Sequence, residues 1–267
     1  MKALIPWDQV SLQELGQVQG VCLDIDETLS TQGKLTSEAY AALWRLKSSG
    51  YFVVPITGRP AGWCDHFARF WPVDAVVGEN GAFSFFMKEG RRERITTPHA
   101  PLDPKPQIAK LGQEILKVFP HARWASDQAY REYDLAIDFC EDVTPWSRGE
   151  VDRLVALCEN FGAHAKVSSI HVNAWFGDYN KFSGFTNLLK SDAVGRRLPS
   201  VEKWLFIGDS PNDEPLFEKF QWSVGVANLR DFADRLRHPP RYLTRAASGA
   251  GFCEMAEKLA QAVQLKT

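Results

Sequence analysis

The stretch VCLDIDETLS, residues 21–30, decides how the rest of the chain is read. Val21, Cys22, Leu23 and Ile25 form an apolar run too short for a helix and suited to a buried strand. Two aspartates, Asp24 and Asp26, stand at its end. Alternate residues of a strand point the same way, so the two carboxylates start on one side. Like charges this close repel. They persist together if a cation lies between them, if they share a proton, or if the chain turns sharply at once. In isolation they also suit a plain strand end, with Asp26 capping the loop and Asp24 in solvent.

After this stretch the pattern alternates strand and helix. Residues 36–49 read as a helix, with Thr36 or Ser37 at its start and Gly50 after its end. YFVVPIT (51–57) reads as a strand, 62–71 as a helix and DAVVG (74–78) as a third strand. KWLFIGD (203–209), WSVGVAN (222–228) and RYLT (241–244) add further strands, and 251–264 a last helix. Such alternation predicts an α/β fold, a doubly wound parallel sheet covered on both faces. Between these segments lies a different unit. It has a helix over 104–119, a strand at YDLAIDF (133–139), an amphipathic helix over 147–162, and adjacent strands AKVSS (165–169) and HVNAWF (171–176). The expected division is a core of residues 1–86 and 178–267 with an α+β domain inserted over 87–177.

Composition narrows the function. Across 267 residues the net charge is −2, and Arg91-Arg92 is a short run on a solvated face, so no basic field calls for nucleic acid or anionic lipid. The opening MKALIPWDQV lacks the apolar core of a signal peptide, and no apolar stretch reaches membrane-spanning length. Five cysteines without a CxxC pair predict free thiols in a reducing cytoplasm, neither a disulfide framework nor a zinc site.

Four segments end an apolar strand, or approach a helix, with a reactive polar group: Asp24/Asp26, Thr57, Lys181 and Asp209/Asp213. In open parallel sheets ligands bind at the carboxyl ends of the strands, so the strand-borne groups should converge there. Converged, they supply several hard oxygen ligands, one ammonium and one hydroxyl. That set suits Mg²⁺ and a phosphoryl group.

In this order DIDET (24–28), ITGR (56–59), Lys181 and GDSPND (208–213) resemble the four motifs of the haloacid dehalogenase superfamily. GENGAF (78–83) and GVANL (225–229) look like members with large caps. The resemblance spans nearly the whole chain. One departure is Glu27, where many members carry Gly and others an acid. The resemblance implies Asp24 as a nucleophile forming an aspartyl-phosphate, and Asp26 as the acid and then base. It implies Thr57 and Lys181 on the phosphoryl oxygens and Mg²⁺ on Asp24, Asp209 and the backbone carbonyl of Asp26. Asp213 would orient Lys181 or a metal-bound water.

One helix nearly fills the interval between Asp24 and Thr57, leaving no room for a cap there. The inserted unit instead falls between Thr57 and Lys181, similar to the type-two caps of Cof-like hydrolases and sugar-phosphate phosphatases. A cap excludes water and reads the leaving group. Besides Thr57 and Lys181, the expected substrate-binding residues are Gly58, Arg59 and Asn80 near the junction and His171 and Asn173 on one face of a cap strand. The expected partner is a small phosphate ester, a sugar phosphate by analogy, for a monomer or homodimer. A sugar phosphomutase and a non-catalytic phospho-ligand-binding regulator stay open as alternatives.

Overall fold

The computed structural model describes residues 4–194 and 197–264. Its centre is a parallel sheet of six strands: β1 (Ile5–Pro6), β2 (Gly20–Leu23), β3 (Phe52–Pro55), β11 (Trp204–Gly208), β12 (Trp222–Gly225) and β13 (Tyr242–Leu243). Their order is β1-β13-β12-β11-β2-β3, and every neighbouring pair is parallel. Side chains alternate between the two faces. Val21 and Leu23 of β2, with Leu205 and Ile207 of β11, pack with helices α2 (Ser37–Ser48) and α8 (Ser248–Gln264). Cys22, Trp204 and Phe206 point the other way, against α6 (Lys181–Lys190) and α7 (Glu214–Lys219). A strand buried on both faces reads as an unbroken apolar run, and VCL and WLFI do.

β2 has β3 on one side and β11 on the other, so successive crossovers diverge beside it. Such a switch point leaves a crevice at the carboxyl ends of the strands. Asp24 follows β2 directly, and Asp209 follows β11.

The sheet continues through an Ile56–Val77 bridge into β4 (Val76–Gly78), which pairs with the hairpin β5 (Phe83–Lys88) and β6 (Arg91–Thr96). The hairpin turns on Glu89 and Gly90, both left-handed at φ 51° and 76°, as two-residue hairpin loops require. The expected boundary at residue 87 falls inside β5. The hairpin was missed because β6, RRERIT, is charged and mostly exposed and lacks strand alternation. The short elements β1, α1 (Leu12–Leu15) and α7 also left no periodic signal.

A second, antiparallel sheet follows, in the order β7-β8-β10-β9: β7 (Arg123–Trp124), β8 (Asp134–Asp138), β9 (His164–Val167) and β10 (His171–Trp175). Helices α4 (Lys105–Val118) and α5 (Arg148–Asn160) cover one face, packing Leu111, Ile115 and Leu154 on Leu135, Ile137, Val172 and Ala174. The period of two turns Asp134, Asp138, His171 and Asn173 to the opposite face, and that face meets the crevice. All five cysteines are free. No helix among the described residues is long and apolar enough to cross a membrane.

Candidate active site

Lys181 is the hub of the crevice. Its side chain is only 1 % exposed, and Nζ donates to Asp24 Oδ1 and Asp213 Oδ1, each at 2.7 Å. It opens α6, whose N-cap Asn180 accepts from the N–H groups of Phe182 and Ser183. Two glycines set its depth. Gly81 has φ +109°, and a Cβ there would lie 2.1 Å from the Asn180 carbonyl oxygen; a Cβ on Gly184 would lie 2.4 Å from Gly81 Cα. Only glycines let the turn after β4 press this closely on the start of α6.

Asp213 uses its other oxygen, Oδ2, to accept from the N–H groups of Asp209 and Ser210, folding GDSPND into a tight loop. Asp209 accepts from Thr28 Oγ1 at 3.4 Å and Asn228 Nδ2 at 3.3 Å. Asn228 also donates to the Glu27 carbonyl. Glu27 is left-handed at φ 53°, which explains why glycine suits its place. Bonds from Gly33 N and Ser248 Oγ to its carboxylate hold it there.

Oxygens of Asp24, Asp209 and Asp213 lie within 4.8 Å of one another, all buried. Three carboxylates face one ammonium, and unpaired buried charge is strongly unfavourable. Burial, with Asp213 and Asp26 adding to it and Lys181 opposing, pushes the Asp24 carboxyl up to about 7. Burial and the neighbouring Asp24 and Asp213 raise Asp209 as well. Burial disfavours the Lys181 ammonium, yet Asp213 and Asp24 more than offset it and raise its pKa. A hard divalent cation fits this set: oxygen donors, close together, with surplus negative charge.

The Asp26 side chain belongs to a second cluster. Arg59 grips it through Nε, at 3.0 Å to both oxygens, and through Nη2 at 2.7 Å. The same guanidinium reaches Asp127 at 3.2 Å and Glu141 at 2.8 Å on the inserted unit. Arg131, fully buried, answers from that unit by bonding Asp127, Asp134 and the Gly58 carbonyl. Glu79 accepts from the N–H groups of Ala61, Glu132, Tyr133 and Asp134. Burial and Asp134 push its carboxyl up to about 8 against those backbone donors.

Of the remaining expected residues, Thr57 is buried and its Oγ1 accepts from Arg59 N. Asn173 donates to Asp134 at 2.8 Å, and Asn80 points Nδ2 at the same carboxylate. His171 places Nε2 2.8 Å from Glu141 Oε2. Asp24, Asp26, Gly58, Arg59, His171 and Asn173 line one cavity of about 10 Å³, room for about one water. Thr57 and Asn80 stand behind that lining. Sequence reading missed Glu141, Asp127 and Arg131. The one available signal was YDLAIDF, where two acids on one face of a buried strand require partners.

Residues 21–113 match the family model described as haloacid dehalogenase-like hydrolase. Similar solved structures span nearly the whole chain. A HAD/COF-like hydrolase from Plasmodium vivax has 17% identity and a TM-score of 0.69, covering 94% of this chain and 99% of its own.

The matched segment is haloacid dehalogenase-like.

Two further solved structures extend the likeness in fold. The C-terminal domain of trehalose-6-phosphate phosphatase from C. albicans has 13% identity and a TM-score of 0.68, covering 98% of this chain and 99% of its own. A HAD subclass IIB sugar phosphatase has 14% identity and a TM-score of 0.58, covering 93% and 99%. No curated protein sequence matches.

Proposed function

We propose that this chain is a Mg²⁺-dependent phosphatase of small phosphorylated metabolites, sugar phosphates among them, acting in the cytoplasm. The observation that carries the reading is Asp24, buried at the switch point within 2.7 Å of Lys181, with Asp26 two residues on beside the same cavity. Asp24 attacks phosphorus through a carboxylate oxygen, and the ester P–O bond breaks. Asp26 gives a proton to the leaving oxygen, then takes one from the water that cleaves the aspartyl-phosphate. Lys181 and the Thr57 hydroxyl hold the phosphoryl oxygens. Asp24, Asp209 and the Asp26 carbonyl would hold Mg²⁺, with Asp213 fixing Lys181 behind them. The cation would supply charge neutralisation at the phosphoryl group.

Residues of about 97–177 act as the cap. A cavity of about 10 Å³ is too small for a sugar phosphate, so the cap must lift to admit substrate and close to exclude water. The likeness to a sugar phosphatase and to trehalose-6-phosphate phosphatase supports the substrate class. The test is phosphate release from a panel of small phosphates, with Mg²⁺ or with chelator, beside Asp24→Asn. Mg²⁺-dependent release that vanishes in Asp24→Asn is expected. Undiminished release by Asp24→Asn would remove the nucleophile, and ligand binding without turnover would favour a regulator.

A further inference from the structure

The junction between core and cap is rich in charge, yet the arginines that line the cavity are engaged. Arg59 bonds three carboxylates, those of Asp26, Asp127 and Glu141. Arg131 bonds two, Asp127 and Asp134, and a carbonyl. His171 turns Nε2 to Glu141. The other cap residues lining the cavity, Ser168, Ile170 and Asn173, are neutral. In this closed arrangement, each arginine of the lining already has carboxylate partners, so a second anionic group on a substrate would have to displace one of them.

Among the cap carboxylates, Glu141 is the one that shares a guanidinium nitrogen with Asp26. Arg59 Nη2 donates at once to Asp26 Oδ1 at 2.7 Å and to Glu141 Oε1 at 2.8 Å. Glu141 therefore stands one guanidinium nitrogen from the group that protonates the leaving oxygen. Burial works against its ionisation, but His171 and Arg59 outweigh burial and hold its carboxyl down at about 2. An ionised carboxylate only accepts hydrogen bonds, so it favours a hydroxyl on the carbon next to the ester and repels an anion there.

We propose that the cap selects phosphate monoesters with a neutral, hydroxyl-bearing leaving group and rejects those carrying a second anionic group, with Glu141 as the specificity-determining residue. This rests on the phosphatase reading and sharpens it. It also separates that reading from the mutase. A mutase that moves a phosphoryl group between two oxygens of one sugar passes through a bisphosphate. Its cap must hold the second phosphate, and this cap offers that group carboxylates.

The test compares matched pairs in the presence of Mg²⁺: glucose 6-phosphate with glucose 1,6-bisphosphate, and glycerol 3-phosphate with 3-phosphoglycerate. The neutral member of each pair should have the higher kcat/KM by tenfold or more. Glu141→Gln should narrow both ratios to under threefold, and Glu141→Asp should keep them. Calorimetric binding of the same esters to Asp24→Asn protein should give the same order without turnover. The two readings therefore fail differently. If the phosphatase reading fails, release is absent but the binding order remains. Equal or inverted ratios in the wild type, in rate or in binding, would overturn the selectivity. Ratios unmoved in a folded Glu141→Gln protein would overturn the role of Glu141.

Discussion

Two groups of buried carboxylates meet at the crevice, and they are built differently. In the core cluster, Asp24 and Asp213 share one ammonium, and Asp209 accepts from Asn228 and Thr28 at 3.3 and 3.4 Å. In the clasp between core and inserted unit, Asp26, Asp127, Asp134 and Glu141 meet two arginines through bonds of 2.7 to 3.2 Å. Glu79 adds four backbone donors. Buried acids that are fully supplied with donors act as structure. Buried acids short of donors await a ligand.

The comparison breaks most easily at its two hubs. Lys181→Met should lower phosphate release by roughly a hundredfold or more, since a charge that stabilises the transferring group is lost. Arg131→Met should instead act on stability. Removing one partner of a buried ion pair costs about 3–5 kcal/mol, which urea unfolding would register, and a variant as stable as wild type would contradict the clasp. Gly81→Ala should harm both regions, because its Cβ meets the Asn180 carbonyl at 2.1 Å; a loss of about 3 kcal/mol or more is expected in the same measurement.

Dependence on pH sharpens the contrast further. The Asp24 carboxyl titrates near 3.8 when unfolded and about 7 when folded. The folded chain therefore binds the extra proton, and its stabilising effect is full below about 4 and lost as pH rises toward 7. Metal-free protein should lose stability over that window, by an amount on the order of 4 kcal/mol. Mg²⁺ should restore stability at neutral pH. Thermal unfolding across pH, with and without Mg²⁺, measures this, and a flat metal-free profile would contradict it. The smallest effect is expected at Glu27→Gly. Relief of the left-handed backbone offsets the lost bonds to Gly33 and Ser248, and stability should change by less than about 1 kcal/mol.

The core cluster was legible in the sequence because each of its groups ends a strand or starts a helix, and an apolar run followed at once by an acid marks that place. The clasp was not. Arg59 meets Asp127 across 68 residues and Glu141 across 82, and no local pattern ties residues so far apart. Arg59, expected near the substrate, does line the cavity, but one sequence does not show which charges its guanidinium will meet. His171 and Asn173 were placed on one face by the strand period alone, and they do line the cavity. Their partners, Glu141 and Asp134, depend on the pairing of β10 with β8.

The central claim is that the donor-poor cluster, and not the clasp, is the cation site. Calorimetric titration of Mg²⁺ into wild type, Asp209→Asn and Glu141→Gln tests it directly. One cation per chain is expected in the wild type, with binding weakened by at least about tenfold in Asp209→Asn and unchanged affinity in Glu141→Gln. Mg²⁺ affinity that survives Asp209→Asn, or falls in Glu141→Gln alone, would contradict it.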